Sequence, residues 1–307
     1  MKTILLTGVT GFIGSNLLEA LLKQGYFVLG IKRSTSNLWR IKEFLGNKNL
    51  KLIDIDNHSF DSVFKENKVD IVIHSAWGGV KAEDRNDLTI QIKNYEFSFK
   101  LFSIAIKNNV DKIVSLGSQA EYGRYEGRID ENYPCKPVDA YGTAKVDTSK
   151  ALKALAKDTN TKWFWIRLFS LFGPKEDKNW LLPFAINKML KNEDIDLTKC
   201  EQQYDYLFIE DFCNGILQIL DSDKSGVYNF SSNMSVQLKE ILLMIKDITK
   251  SKSKLNFGAL QYRDNQVMHM EGDSSMFYAT LKYMPVHNLR NSLVKTVSYY
   301  KNKPYNK

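Results

Sequence analysis

Cysteine and histidine are scarce in this 307-residue chain, and neither is clustered. The cysteines are three in number and lie far apart, at Cys135, Cys200 and Cys213. An odd number of widely spaced cysteines fits neither a disulfide framework nor a zinc site, so we expect reduced thiols in a cytoplasmic protein. The four histidines are equally dispersed, and we predict no metal site.

Long hydrophobic runs are also missing. No apolar stretch reaches the roughly 18 residues that a membrane-spanning helix needs. Residues 1–6 are too few and too weakly charged for a signal peptide, and they lead directly into a glycine-rich turn. We therefore interpret them as a buried first strand and expect no membrane partner.

Basic residues are in excess but are not concentrated. The formal net charge is +8, and the lysines are spread along the chain without an arginine-rich tract or an aromatic-interleaved RNA motif. Nucleic acid is therefore not expected as a partner. Two interpretations of the charge remain: a solvated basic surface, or an anionic small-molecule substrate together with an anionic cofactor.

Short β-branched runs alternate with amphipathic segments of helical length. Strands are predicted at residues 3–7, 27–31, 50–55, 70–76, 112–118 and 163–169, and helices at 15–25, 59–67, 94–109 and 144–158. This alternation predicts an α/β fold with a doubly wound parallel sheet covered on both faces. After about residue 169 the alternation of strands and helices becomes less regular. This change predicts a first domain of residues 1–168 and a smaller lobe formed mainly by residues 169–307, with some segments returning to the first domain.

Three glycines, Gly8, Gly11 and Gly14, separate the first predicted strand from the first predicted helix. Glycines in this context allow a tight turn, a close approach of the backbone to a pyrophosphate, and packing of the helix on the strand. The helix N-terminus then offers free N–H groups to the phosphates. The context favours a dinucleotide site, and the alternative is a packing turn in an α/β protein without a cofactor.

The end of the second predicted strand indicates which dinucleotide is bound. Proteins that bind NAD usually place Asp or Glu there, about 20 residues past the glycines, to hold a ribose hydroxyl. Here Lys32, Arg33 and Ser34 occupy that region. Cations and a hydroxyl suit a 2′-phosphate, so the sequence favours NADP(H) over NAD(H). The alternative is that both cationic side chains point into solvent.

A Tyr-x-x-x-Lys pair, Tyr141 and Lys145, begins a predicted helix after the fifth strand. The spacing places both side chains on one helix face, where an ammonium lowers the pKa of a phenol and makes it a usable proton donor. Ser118 ends the fifth strand, at the edge of the sheet where ligands bind. We therefore predict that Ser118 and Tyr141 meet the same carbonyl oxygen, the alternative being an ordinary surface pair.

Together these segments resemble the extended short-chain dehydrogenase/reductase family, whose members act on nucleotide-diphosphate sugars. The resemblance covers essentially the whole chain and is carried by TGVTGFIG, SLGSQAEYG, YGTAK, IRLFSLFGP, YDYLFIEDF, YNFSS and LKYMP. It implies a Rossmann domain, a small substrate-binding lobe and a catalytic set of Ser118, Tyr141 and Lys145. It also implies a homodimer formed through residues 88–106 and 141–156.

The resemblance assigns further residues to the cofactor and the substrate. It implies that Asp54 and Ile55 border the adenine, and that Leu168 and Phe169 approach the nicotinamide. The complete set predicted to contact the cofactor is Gly8, Thr10, Gly11, Phe12, Ile13, Gly14, Lys32, Arg33, Ser34, Asp54, Ile55, Ala76, Trp77, Leu116, Tyr141, Lys145, Leu168 and Phe169. Arg263 is implied to reach the substrate pyrophosphate.

Departures from the family pattern narrow the reaction. Sugar 4,6-dehydratases carry Asp-Glu directly after the catalytic Ser or Thr, whereas this chain has Gln119-Ala120. Ser170 and Tyr204 replace an Asn and an Arg that contact the substrate in other members, so the usual nucleotide contacts are in doubt. Gln119, Ser170, Tyr204 and Arg263 are the predicted substrate residues.

The stretch LNFGALQYRDNQVM is similar to one in nucleotide-sugar 4-ketoreductases. The resemblance therefore implies an NADPH-dependent reductase of a nucleotide-diphospho-4-keto-6-deoxy sugar, which would supply a deoxysugar of a bacterial surface polysaccharide. Two alternatives remain: a nucleotide-sugar epimerase that holds NAD tightly, and a protein without enzymatic activity that binds NADP or scaffolds a complex.

Overall fold

Strands and helices alternate along the first half of the chain. The structure, a computed structural model, describes residues 1–264 and 266–303. Its strands are β1 (Thr3–Thr7), β2 (Phe27–Lys32), β3 (Leu50–Asp54), β4 (Ile71–His74), β5 (Lys112–Ser118), β6 (Gly127–Ile129), β7 (Lys162–Leu168), β8 (Ser170–Phe172), β9 (Ile195–Leu197), β10 (Gln203–Phe208), β11 (Gly226–Phe230), β12 (Ser235–Gln237), β13 (Leu255–Phe257) and β14 (His269–Gly272). Its helices are α1 (Phe12–Lys23), α2 (Phe60–Glu66), α3 (Leu88–Lys107), α4 (Ala140–Ala156), α5 (Leu181–Leu190), α6 (Ile209–Asp221), α7 (Leu238–Thr249), α8 (Ser275–Leu281) and α9 (Leu289–Asn302), with 3-10 helices at Lys42–Phe44 and Gln119–Tyr122.

A parallel sheet of seven strands has the order β3-β2-β1-β4-β5-β7-β11. Ile4, Leu5 and Leu6 of β1 are fully buried because helices cover both faces of the sheet. The predicted doubly wound α/β fold is confirmed. The strand order reverses at β1 and β4, and the carboxyl ends of these two strands mark the usual ligand crevice of such a sheet.

A second sheet has the strand order β12-β10-β14-β6, and β8 pairs with its strand β10. Strand β6 comes from residues 127–129, and β11, from residues 226–230, belongs to the seven-stranded sheet. The chain therefore passes between the two sheets in both directions. The domain division at residue 168 stays a prediction.

The two sheets share one apolar core. Leu6 of β1, Leu207 of β10 and Ile241 of α7 are buried in the same cluster. Since this core is continuous, the second sheet is fixed relative to the first, and residues at their junction keep their relative positions.

Within the described ranges, no helix has the length and apolarity that a bilayer crossing requires. Cys135, Cys200 and Cys213 are free thiols. Among the same residues, His, Cys, Asp and Glu side chains form no cluster of three or more suited to a metal ion.

Candidate active site

The glycine turn between β1 and α1 is too crowded for side chains. Gly8 has φ of +70°, and a Cβ atom there would lie 2.8 Å from the Ala76 backbone nitrogen. A Cβ atom on Gly14 would lie 2.1 Å from the Gly8 carbonyl oxygen. Gly11 is the N-cap of α1 and provides no side-chain cap, so the first turn keeps open N–H groups. These features fit the pyrophosphate of a dinucleotide.

Two carboxylates lie close to the cations predicted at the end of β2. Lys32 pairs with the Asp54 carboxylate, which lies opposite it in the register of β2 and β3. Asp56 accepts hydrogen bonds from the Ser34 backbone N–H and hydroxyl, both at 2.7 Å. These bonds lower the pKa of the exposed Asp56 carboxyl. Arg33 is exposed at the same corner.

Ser118, Tyr141 and Lys145 are brought together at the end of β5. Helix α4 begins after Asp139, whose carboxylate accepts the Gly142 N–H at 2.7 Å, and this cap aims the first turn at Ser118. The Ser118 hydroxyl acts on the Tyr141 phenol and favours a lower pKa for it. Lys145 Nζ donates to the Leu116 carbonyl oxygen at 2.6 Å. All three side chains are buried.

Burial dominates the protonation of this cluster. It raises the pKa of Tyr141, while the Ser118 hydroxyl and the Arg85 guanidinium, 5.0 Å from the ring centroid, oppose the increase. Burial also lowers the pKa of Lys145. The net pKa of Tyr141 is raised because desolvation of the phenolate is the largest effect, and the lowering contribution expected from Lys145 stays a prediction.

A buried polar network underlies the cluster. The Glu121 carboxylate accepts hydrogen bonds from the Ser118 N–H at 2.8 Å, the Trp165 indole at 2.9 Å and Arg167 Nε at 2.8 Å. Arg167 also donates to the Tyr122 hydroxyl at 3.0 Å. Glu121 is fully buried, and this network fixes the end of β5 that carries Ser118.

The predicted substrate residues lie on different elements of the fold. Gln119 follows Ser118 directly, and its Oε1 accepts the Tyr125 hydroxyl at 3.4 Å. Tyr204 donates to the Val267 carbonyl oxygen at 2.9 Å. Arg263 is exposed. Ser170 lies on β8, opposite Tyr206 of β10.

The remaining predicted cofactor residues lie near the carboxyl ends of β1, β3, β4, β5 and β7 or at the start of α1. Ala76 N–H donates to the Thr7 hydroxyl at 3.2 Å, and Ile55 N–H donates to the Lys32 carbonyl oxygen at 2.9 Å. Leu168 is buried at the end of β7. The residues of this group that are only partly buried are Thr10, Phe12, Ile13, Ile55, Ala76, Trp77 and Phe169.

Sequence reasoning missed three polar residues at the site: Glu121, Asp56 and Arg85. A signal for Glu121 was present, because Ser118-x-x-Glu121 is a capping-box pattern and the structure forms that box. Asp56 and Arg85 lie in loops, and only the paired strands and the start of α4 bring them to the site.

A model of the NAD dependent epimerase/dehydratase family matches residues 4–231, which is more than half of the chain. The chain belongs to this family. Members of the family use nicotinamide cofactors, and the crowded glycine turn described above fits such a cofactor.

Similar proteins and solved structures cover between 77% and 98% of the chain. The chain is 27% identical over 304 residues to CDP-abequose synthase from Salmonella muenchen, with 97% of each covered. It is 29% identical to dTDP-6-deoxy-L-talose 4-dehydrogenase (NAD(+)) from Aggregatibacter actinomycetemcomitans, with 77% of this chain and 86% of that one covered. The crystal structure of UDP-glucuronic acid 4-epimerase from Bacillus cereus, in complex with UDP-glucuronic acid and NAD, shares the fold with a TM-score of 0.87 and 24% identity, covering 98% of this chain and 99% of that one.

Proposed function

We propose that the protein is an NADPH-dependent reductase of a nucleotide-diphospho-4-keto-6-deoxy sugar. The observation that carries the proposal is the buried cluster of Ser118, Tyr141 and Lys145 beside Gln119 and Ala120. The cluster can deliver a proton to a ketone oxygen. Relatives whose names describe synthesis or oxidation of deoxysugar nucleotides support this substrate class.

The side chains divide the proposed chemistry as follows. The bound reduced nicotinamide supplies hydride for the ketone carbon. Tyr141 donates its phenolic proton to the ketone oxygen, and its raised pKa keeps the proton in place until that oxygen gains charge. Ser118 donates a hydrogen bond to the same oxygen. Lys145 stabilises the tyrosinate that remains and holds the nicotinamide ribose.

A dehydratase reaction lacks its acid and base at this site. Water elimination from a sugar needs a group that removes a proton and another that protonates the leaving hydroxyl. Gln119 and Ala120 follow Ser118, and neither can take part in proton transfer. Glu121 is buried and occupied by three donors, so it does not replace the missing pair.

The cofactor proposal rests on Arg33. Because Lys32 is paired with Asp54, we propose that Arg33 is the cation that binds the 2′-phosphate of NADPH.

One observation favours a second candidate, an epimerase that retains NAD. The Asp54 and Asp56 carboxylates flank the same corner, and a carboxylate suits a ribose hydroxyl better than a phosphate.

Parallel titrations of cofactor-stripped protein with NADPH and NADH separate these candidates. A reductase is expected to prefer NADPH at least tenfold, equal to about 1.4 kcal/mol. Arg33→Ala should remove that preference, and Lys32→Ala is the matched control that should leave it largely intact. Equal affinities, with NAD released from the protein as purified, would support the epimerase.

The substrate is tested with a panel of 4-keto-6-deoxy sugars carrying different nucleotides. We expect NADPH oxidation that requires the keto sugar, with one nucleotide preferred. If no keto sugar is reduced while a nucleotide sugar is epimerised without net oxidation, the reductase proposal is wrong.

We also propose that two copies associate through the outer faces of α3 and α4, which pack side by side. Leu88 and Ile92 on α3 are 65% and 54% exposed, and Val138 before α4 is 62% exposed. Large apolar side chains exposed together on adjacent helices are typical of an oligomer interface.

A further inference from the structure

The indole ring of Trp77 covers the ammonium group of Lys145. Lys145 Nζ lies 3.6 Å from the centroid of the Trp77 ring. The same indole and the Tyr141 ring form an edge-to-face pair, with centroids 6.1 Å apart and planes at 89°. Trp77 therefore contacts both side chains of the Tyr-x-x-x-Lys pair.

Trp77 is itself held in a fixed orientation. Its Nε1–H donates to Gln91 Oε1 at 3.0 Å, and Gln91 is buried on α3. Gln91 Nε2 donates in turn to the Gly79 carbonyl oxygen at 3.1 Å. Because these bonds fix the ring plane, the face of the indole stays directed at Lys145.

Apart from the indole of Trp77, the Leu116 carbonyl oxygen favours the positive charge of Lys145, since it accepts a hydrogen bond from Nζ at 2.6 Å. The Tyr141 and Trp165 ring centroids are farther from Nζ, at 5.8 and 5.9 Å. Lys145 is 4% exposed, and within residues 1–264 and 266–303 it forms no ion pair. The nearby acidic group, Glu121, already accepts three hydrogen bonds. His74 is neutral because burial lowers its pKa to about 3, and burial keeps Tyr141 a neutral phenol.

We infer that Trp77 is a positioning residue that holds the Lys145 ammonium beside Tyr141, in its charged form, through the face of the indole ring. The negative electrostatic potential of an aromatic face attracts a cation, and the attraction is strongest when the cation is desolvated. The role assigned to Lys145 rests on the proposed function, whereas the contact itself does not.

Fluorination of Trp77 tests the inference without changing the shape of the site. Successive fluorine atoms withdraw electrons from the ring face while Nε1–H and the volume are nearly unchanged. Tryptophans carrying one to four fluorines are placed at residue 77, and Lys145 is titrated by NMR of carbon-13-labelled lysine in the cofactor-free protein. The signal that disappears in Lys145→Arg identifies the residue.

We expect the pKa of Lys145 to fall stepwise with fluorination, by about one pH unit for the tetrafluoro ring. The direction follows from loss of a group that favours the charged form. Tetrafluorotryptophan at Trp180, which is 45% exposed, should leave the titration unchanged. An unchanged titration across the Trp77 series would overturn the inference, since a ring that only fills space is unaffected by fluorine.

A second measurement separates this contact from the proposed function. NADPH affinity is expected to fall above the pH at which Lys145 loses its proton. Fluorination of Trp77 should therefore lower the pH at which NADPH affinity begins to fall. If the titration shifts and NADPH affinity does not follow, the contact is supported and the role of Lys145 in cofactor binding is wrong. Trp77→Ala is unsuitable alone, because water entering the cavity would hydrate the ammonium.

Discussion

The Tyr141 side chain is buried, and its neighbours are Ser118, Lys145, Trp77 and Arg85. The Ser118 hydroxyl and the Arg85 guanidinium both favour its phenolate. Lys145 Nζ lies 5.8 Å and the Trp77 ring centroid 6.1 Å from the centroid of the Tyr141 ring. Burial nevertheless dominates, so Tyr141 stays protonated and is suited to donate a proton.

Tyr141→Phe is expected to lose most turnover while keeping cofactor affinity. The substitution removes the donated proton, and proton transfer of this kind contributes about 100-fold or more to the rate. The measurements are kcat with the preferred keto sugar and Kd for NADPH, the latter expected within about twofold of wild type.

Tyr278→Phe is the matched control for this experiment. Tyr278 and Lys282 show the same sequence pattern, but α8 ends before Lys282, and the Tyr278 hydroxyl donates to the Ser231 carbonyl oxygen. Its turnover should remain close to wild type. Unimpaired turnover in Tyr141→Phe would disprove the proton-donor role.

Glu121→Ala is expected to destabilise the protein by about 3 kcal/mol or more, because Arg167 would keep a buried charge without its partner. The double substitution of Glu121→Leu with Arg167→Met should recover much of this loss, since neither charge then remains. Unfolding by denaturant measures both variants. A loss below about 0.5 kcal/mol in Glu121→Ala would show that water or another group compensates.

At the scale of elements, buried polar side chains join strands to helices. His74 at the end of β4 hydrogen-bonds the Thr7 hydroxyl of β1 and the Ser98 hydroxyl of α3, both at 2.8 Å. Lys112 at the start of β5 donates to three carbonyl oxygens at the end of α6, those of Ile219, Leu220 and Ser222. These bonds fix helices on the sheet and so keep the crevice in shape.

His74 makes stability fall with acidification. Burial, with a smaller contribution from Lys145, lowers its pKa to about 3, whereas an unfolded histidine has a pKa near 6.5. The stability it provides is complete above pH ~6.5 and is lost as the pH falls towards ~3, at about 1.4 kcal/mol per pH unit.

His74→Asn should therefore flatten the dependence of unfolding free energy on pH between pH 7 and pH 5. Denaturant unfolding at several pH values measures the slope in each protein. His58→Asn, at an exposed position, is the control and should keep the wild-type slope. Equal slopes in the wild type and His74→Asn would show that His74 does not titrate as described.

At the scale of the whole molecule, the outer face of α3 and α4 remains apolar after the core has formed. Leu88, Ile92 and Phe99 are each more than two-fifths exposed on α3, although α3 and α4 contact each other closely. The proposed homodimer would bury these side chains in a four-helix arrangement.

Ile92→Glu is expected to convert the dimer to a monomer, because the interface would have to bury a carboxylate without a partner. Sedimentation velocity measures the change in mass. Leu243→Glu on α7, where Leu243 is 47% exposed, is the control and should leave the mass unchanged. A wild-type sedimentation coefficient for Ile92→Glu would place any interface elsewhere.

The sequence alone was sufficient for the fold class and for much of the site. Apolar runs, helical spacing and the glycine turn predict the parallel sheet, because local chain geometry and burial on both faces determine those patterns. Ser118, Tyr141 and Lys145 were predicted from their positions on strand and helix, and the structure brings them together. Their chemical roles stay predictions.

Only the tertiary structure decided the charge and orientation of these groups. Asp54 reaches Lys32 through strand pairing, Asp56 reaches Ser34 through a loop, and Trp77 reaches Lys145 across the end of the sheet. The net direction of the Tyr141 pKa likewise depends on burial, which neighbours distant in sequence create. Electrostatic energies depend on distances in space and on exclusion of water, and residue spacing along the chain specifies neither.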